Sequence, residues 1–191
     1  IDLYSGIGGW TLGMKLSGID NKASYEWWNE ANQTHNLNFG TNHKELNIRE
    51  IDVKNDLIFD KKIDFVVGSP PCTQFSLANR GGNGNIQDGL IDIYKFLETI
   101  EFLKPKYWAM ENVPRVAKIL EKELNNGSLE RFKHLVKVIK VVDSADYGTP
   151  QNRKRMIAGN FPIDIFDSYK EKINQVTLGD VLDSLSSSTV L

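Results

Sequence analysis

The sequence is short of the residues that cross-link or chelate. Cys72 is the single cysteine among 191 residues. A lone thiol allows no internal disulfide and no multi-cysteine metal site, and it suits a reducing compartment. The histidines, His35, His43 and His134, are scattered without ligand-like spacing, so no metal site is expected. No uninterrupted apolar run approaches the roughly 18 residues that a membrane helix needs, so no membrane association is expected. An excess of either charge is missing too: 23 basic against 25 acidic side chains leave −2. That excludes a uniformly basic nucleic-acid-binding surface and confines any such contact to a local patch. Hydrophobic residues at 40% and charged ones at 25% match an ordinary globular domain. Collagen-like, disulfide-rich and wholly disordered readings are set aside on the same ground. No internal repeat and no targeting segment is visible. The chain opens on Ile1 rather than Met, which reads as an N-terminus trimmed inside a strand.

What is present is an alternation of short apolar segments and helical patterns. Ile1-Asp2-Leu3-Tyr4 reads as the end of a strand running into the glycine turn Ser5-Gly6-Ile7-Gly8-Gly9. A helix pattern through Leu12, Met14 and Leu16 stops at Gly18; a short strand is expected at Ala23-Ser24-Tyr25 and a polar helix from Asn29 to Asn38. Ile63 to Val67 and Tyr107 to Met110 read as buried strands, Ile91 to Leu103 and Arg115 to Leu124 as helices. Phe132 to Val142 turns β-branched toward its end, and Arg155-Met156-Ile157-Ala158 reads as one more strand. Strands alternating with helices predict an α/β domain with a largely parallel sheet, whose ligands bind at the carboxyl ends of the strands. Gly81 to Asn85 reads as a mobile loop, and Ser184 to Thr189 as a linker or frayed end.

The unusual clusters each follow a strand candidate. Glycines in Asp2 to Gly9 let a ligand approach the backbone and open a helix whose amides face it. The spacing is neither the dinucleotide fingerprint nor a Walker loop, so a nucleoside-like cofactor fits as well as a phosphate, and so does an ordinary tight turn. In Glu26-Trp27 the acid can hold ribose hydroxyls and the aromatic can stack on adenine; the plainer reading is a surface acid beside a core tryptophan. Asp52-Val53 can meet an adenine edge or simply form a turn. Two prolines stiffen the backbone just before Cys72, in Gly68-Ser69-Pro70-Pro71-Cys72-Thr73-Gln74-Phe75-Ser76. That presents a nucleophile better than it buries a small hydrophobe. Glu111, directly after an apolar strand, is placed to be half-buried and to give a proton to a ring nitrogen, or else to cap a helix or pair with an arginine. In a strand starting near Asn152, Arg153 and Arg155 share a face that suits a phosphate or a carboxylate, unless they only solvate an edge.

In order and spacing these segments resemble the cytosine-C5 DNA methyltransferase family. The resemblance rests on Asp2 to Gly9, Glu26-Trp27, Pro70-Pro71-Cys72 with Phe75-Ser76, Glu111-Asn112-Val113, and Gln151 with Arg153 and Arg155. It implies a Rossmann-like, SAM-dependent methyltransferase fold. It also implies transfer of a methyl group from S-adenosyl-L-methionine (SAM), leaving S-adenosyl-L-homocysteine, to carbon 5 of a flipped-out cytosine in double-stranded DNA. By the same resemblance Tyr4, Ser5, Gly6, Ile7, Gly8 and Gly9 cradle the methionine end of SAM. Glu26 holds its ribose, Trp27 stacks on the adenine, Asp52 and Val53 meet the adenine edge, and Ser69 and Pro71 belong to the same pocket. Cys72 is the nucleophile that adds to C6. Glu111 donates a proton toward N3, supported by Asn112, while Arg153 and Arg155 anchor Glu111, the target base or its phosphate. Ser76 and Gln151 contact the substrate.

Two departures stand out. Thr73 occupies the position after the cysteine where the family commonly has glutamine, and Gln74 follows it. The family's small target-recognition domain and last two motifs have no counterpart by Leu191. Residues 1–183 are therefore expected to form a SAM-binding catalytic domain, and 184–191 a linker or the start of a target-recognition region. The remainder is expected on a second subunit or further along a longer protein. The implied setting is the cytoplasm of a bacterium or archaeon, in a restriction–modification system. Two other readings stay open: a tRNA cytosine-C5 methyltransferase, and a catalytically inactive SAM- or DNA-binding accessory subunit. The segment from Gln151 to Arg155 favours DNA, and the presence of Cys72, Glu111 and both arginines argues against an inactive accessory.

Overall fold

The computed structural model describes residues 1–43, 45–57, 59, 62–75 and 85–183. Ser76, the expected loop at 81–84 and the tail from Ser184 lie outside the described residues. The strands are β1 (Asp2–Leu3), β2 (Ser24–Tyr25), β3 (Phe65–Gly68), β4 (Tyr107–Asn112), β5 (Val138–Asp143) and β6 (Lys154–Gly159). They form one sheet in the order β2-β1-β3-β4-β6-β5. β1 pairs in parallel with β2 and β3, and β3 with β4. β6 runs antiparallel to both β4 and β5. The sheet is thus parallel over its first half, as expected, and turns antiparallel at β6.

The helices are α1 (Gly9–Leu16), α2 (Asn29–Phe39), α3 (Ile86–Leu103), α4 (Arg115–Asn126), α5 (Ile163–Lys170) and α6 (Leu178–Asp183). α3 buries Leu90, Ile93, Phe96, Leu97 and Ile100, spaced three and four apart on one stripe. That stripe packs on β3 and β4: the Phe96 ring lies 5.8 Å from Trp108, and Gly68 leaves room for Phe96 where a side chain would collide. Among the described residues no helix is long and apolar enough to cross a membrane.

Several boundaries differ from the sequence pattern for local reasons. α3 starts at Ile86 rather than Ile91, because the Asn85 side chain accepts from the Asp88 amide at 3.3 Å and caps the helix. Asn85 is therefore a helix cap rather than the end of a loose loop. The segment from Phe132 holds a 3₁₀ turn, Glu130–Phe132, before the strand proper begins at Val138. β6 begins at Lys154, not near Asn152. β4 runs two residues further than its apolar core because β6 pairs alongside, matching Glu111 with Ile157 and Asn112 with Met156. Gly68 pairs with Met110, so Glu111 and Asn112 project past the end of β3. Glu111 thus lies inside a strand rather than after one.

Candidate active site

The site begins where β1 stops. Tyr4, Gly6 and Gly8 take φ of 55°, 53° and 98°, which turns the chain sharply into α1. At Gly8 a Cβ would lie 2.2 Å from Phe39 Cε2 and 2.9 Å from His35 Cδ2, so only glycine lets α1 start against α2. Asp2 ties the turn from below. Its Oδ2 accepts from the Thr11 amide at 3.1 Å and the Thr11 hydroxyl at 2.8 Å. The Asp2 side chain is fully buried, and burial pushes its pKa up to about 7, against the pull of the Thr11 hydrogen bonds. Thr11 in turn meets His35 Nε2 at 3.1 Å and the Ser24 hydroxyl at 3.2 Å.

Above this brace lies a cavity of about 350 Å³ lined by Tyr4, Ser5, Gly6, Ile7, Gly9, Trp10, Glu26, Trp27, Ser69 and Pro71. Glu26 is buried, and main-chain amides hold its carboxylate: Oε2 accepts from Gly6 and Oε1 from Trp28, both at 2.8 Å. Its position is therefore fixed without any side-chain partner. Trp27 is 61% exposed, leaving its ring free to cover a planar group. Among the described residues the Ser5 hydroxyl is buried without a hydrogen-bond partner, and Ser5 lines the cavity, so it is open to a ligand. An acid on amides, an exposed indole, an orphan hydroxyl and glycine backbone together fit a nucleoside carrying an amino-acid tail.

The next strand end supplies the thiol. The segment Ser69 to Cys72 leaves β3 and is fastened on both sides. Trp10 Nε1 donates to the Ser69 hydroxyl at 2.9 Å, and Asn112 Nδ2 donates to the Pro70 carbonyl at 3.0 Å. Asn112 is 1% exposed, so its contribution is to hold this segment rather than to meet a substrate. Cys72 itself is half-buried and its carbonyl closes a turn with the Phe75 amide at 2.9 Å. The thiol is not sealed in the core, unlike the fully buried Phe75.

Beyond Asn112 the face of the sheet changes. Glu111 points the other way along β4, into a trough of about 850 Å³ walled by residues such as Phe65, Tyr107, Ile157 and Phe166. Arg155 Nε pairs with Glu111 Oε1 at 2.7 Å, with each side chain about a quarter exposed. Arg153 lines the same trough, and its amide donates to Asp143 Oδ1 at 2.8 Å. Gln151 is exposed, with its carbonyl accepting from the Ser144 hydroxyl. Asp52 and Val53 do not line the cavity of about 350 Å³. Asp52 accepts from the Lys54 amide and Asn55 Nδ2 within its own turn, which holds its carboxyl below the usual range, and Val53 is buried in the core. Gly8 packs against α2 instead of facing the cavity. Among the described residues no group of histidine, cysteine and acidic side chains could hold a metal ion.

A sequence model of the C-5 cytosine-specific DNA methylase family matches residues 1–183. The chain belongs to this family. It is 31% identical over 164 residues to the type II methyltransferase M1.HphI of Haemophilus parahaemolyticus, covering 82% of this chain and 44% of that protein. It is 33% identical over 188 residues to M.NgoBI of Neisseria gonorrhoeae, covering 96% and 57%. A solved structure described as a DNA modification methyltransferase encoded within an E. coli prophage superposes with a TM-score of 0.77 at 25% identity, covering 97% of this chain and 54% of that one. The S. pombe Dnmt2 methyltransferase shares the fold, with a TM-score of 0.57 at 22% identity. The chain spans about half the length of the curated relatives it matches.

One residue lining the cavity carried no motif signal. Trp10 lines both the cofactor cavity and the trough, and joins α1 to the cysteine segment. Its position just after the last turn glycine was the available clue, since the first turn of a helix opened by glycines faces the same ligand.

Proposed function

We propose that this chain is the catalytic part, residues 1–183, of a DNA cytosine-C5 methyltransferase of a restriction–modification system. The observation that carries the reading is the cysteine segment, which is shared between two sites. Ser69 and Pro71 line the cofactor cavity, while the Asn112–Pro70 bond holds the same segment to the strand end that bears Glu111. Cys72 follows Pro71 directly on that segment and is half-buried; it lines neither the cavity nor the trough, so as the nucleophile its thiol must reach a base held beside them.

SAM, when bound, supplies a methyl group on a sulfonium. Glu26 would take the ribose hydroxyls, Trp27 the adenine face, and the Ser5–Gly9 turn the methionine end. Cytosine C5 is a poor nucleophile within its aromatic ring. The Cys72 thiolate adds to C6, and Glu111 passes a proton toward N3, so that C5 becomes an enamine carbon able to take the methyl group. General acid help of this kind contributes roughly 10²–10⁴-fold. Water acting as a base then takes the C5 proton, the C–H electron pair re-forms the C5–C6 double bond, Cys72 leaves as thiolate, and the N3 proton returns to Glu111. Asn112 holds the cysteine segment, Arg155 orients Glu111, and Arg153 is free to meet a phosphate or the base. In a duplex the base must leave the stack, at a cost of a few kcal/mol. Target recognition would come from polypeptide outside these residues, a C-terminal domain or a second subunit, and the work is done in the cytoplasm.

The test is transfer of labelled methyl from SAM to duplex DNA and to tRNA by the complete protein and by Cys72→Ala. The expected result is 5-methylcytosine in DNA, lost on the order of 10⁴-fold or more in the variant. Label in tRNA alone would select the RNA reading. SAM binding without transfer would select an accessory role. Transfer unaffected by Cys72→Ala would remove the covalent route.

A further inference from the structure

Separate parts of the site are fastened to the first two turns of α3, and none of these attachments involves a reacting group. Tyr4, at the head of the cofactor turn, donates its hydroxyl to the Asp92 carbonyl at 3.2 Å. Gln74 Oε1 accepts from the Asn85 amide at 3.0 Å, just ahead of the helix. Phe75 is fully buried with its ring over Gly89, where an added Cβ would lie 2.5 Å from Cζ. Gln74 and Phe75 follow Cys72 almost directly, so the shoulder of the thiol is seated on this helix.

One arginine clasps two acids on that stretch of helix. Arg49 belongs to the 3₁₀ turn Ile48–Glu50. Its Nε and Nη2 reach the two oxygens of Asp92 at 2.9 and 2.6 Å, and its Nη1 reaches Asp88 Oδ1 at 2.9 Å. Nη2 also donates to the Asp88 carbonyl at 3.1 Å. Asp88 and Asp92 stand one helical turn apart, so a planar guanidinium can span both. The Asp92 side chain is only 3% exposed, and without the cation its charge would be buried uncompensated.

We infer that Arg49 is a positioning residue for Cys72: by clasping Asp88 and Asp92 it fixes the start of α3, to which Tyr4 and the Gln74–Phe75 shoulder are fastened. It thereby sets where the thiol stands relative to the cofactor turn. The consequence for catalysis rests on the reading of Cys72 as the nucleophile, but the placement itself can be tested without DNA or methyl transfer. The rate at which iodoacetamide alkylates Cys72, followed by the mass of its peptide, reports the local setting of the thiol. It is measured in the complete protein with and without S-adenosyl-L-homocysteine.

Arg49→Met is expected to change that rate roughly threefold or more and to blunt its response to S-adenosyl-L-homocysteine. Arg49→Lys, which keeps the charge but lacks the fork, restores part of the difference. Gln74→Met shifts the rate in the same direction, and it decides the matter if Arg49→Met does not fold. Glu101→Gln serves as the control: it breaks the Glu101–Arg131 pair at the far end of the same helix and leaves the rate unchanged. Wild-type alkylation in folded Arg49→Met and Gln74→Met, or an equal shift in Glu101→Gln, would overturn the inference and leave Arg49 as a brace for the fold alone. A shifted alkylation rate in a protein that never methylates DNA would retire the proposed function and keep the positioning.

Discussion

The two arms of the site handle charge in opposite ways. At the cofactor turn the carboxylates are dry: Asp2 is 0% exposed and Glu26 8%, and main-chain amides hold both. At the far arm Glu111 and Arg155 are 26% and 24% exposed, and each depends on the other's side chain at the rim of an open trough. A buried carboxylate on amides is rigid, and loss of a partner costs the full desolvation of the group left behind. A half-exposed ion pair contributes little to stability and is screened by salt. The first arm is a fixed mould. The second, at the rim of an open trough, is free to exchange its partner for a ligand.

The largest expected effect exploits that division. Glu111→Gln keeps the shape and removes the transferable proton. It should lower kcat roughly 10²–10⁴-fold while leaving the Kd for SAM unchanged. Steady-state methyl transfer against calorimetric SAM titration separates the two. A parallel loss of SAM binding would mean that the arms are not independent.

The cofactor arm was more legible in the sequence than the acid arm, for a physical reason. Its residues cluster within short stretches, because a glycine turn after a strand must place successive backbone groups around one ligand. That Ser5, Gly6, Glu26 and Trp27 would line one cavity could be read off locally. Asp52 could not, since whether a short acid faces a ligand or closes its own turn depends on the Lys54 amide and Asn55. The extension of β4 through Glu111 depended on β6, more than forty residues later, running antiparallel beside it. The Arg49 clasp joins positions 39 and 43 residues apart, with no local pattern to announce it.

The buried arm makes a second prediction, in stability. The Asp2 carboxyl sits at about 7 in the folded chain, against an ordinary 3.8. An acid raised on folding holds its proton more tightly in the native state. Its contribution is therefore greatest below about 4 and is lost as pH rises toward 7. Asp2→Asn keeps an oxygen for Thr11 and removes the titration. Urea denaturation across pH 4 to 8 should show a fall in the wild-type protein that the variant lacks, on the order of 3 kcal/mol. His35, whose pKa burial lowers, slopes the other way in both proteins; the Ile1 ammonium, whose pKa burial lowers to about 6, interacts with Asp2, so the difference reads Asp2 together with its effect on that neighbour. Parallel curves would show that Asp2 titrates as if solvated, and the picture of a dry cofactor arm would fail.

A smaller effect tests the mould itself. Gly8→Ala places a methyl group 2.2 Å from Phe39 and 2.9 Å from His35, at a φ of 98° that alanine disfavours. Phe39 is only half-buried and can give way, whereas His35 is fully buried and cannot, so α1 must shift at its first turn. The expected loss is about 2 kcal/mol of stability. Because the distortion falls on the turn and not on Glu111, KM for SAM should rise about tenfold while kcat at saturating SAM stays nearly unchanged. That split is the reverse of the one expected for Glu111→Gln. A Gly8→Ala protein with an ordinary KM and a depressed kcat would show that the turn serves the chemistry directly, and that the two arms divide the work less cleanly than their treatment of charge suggests.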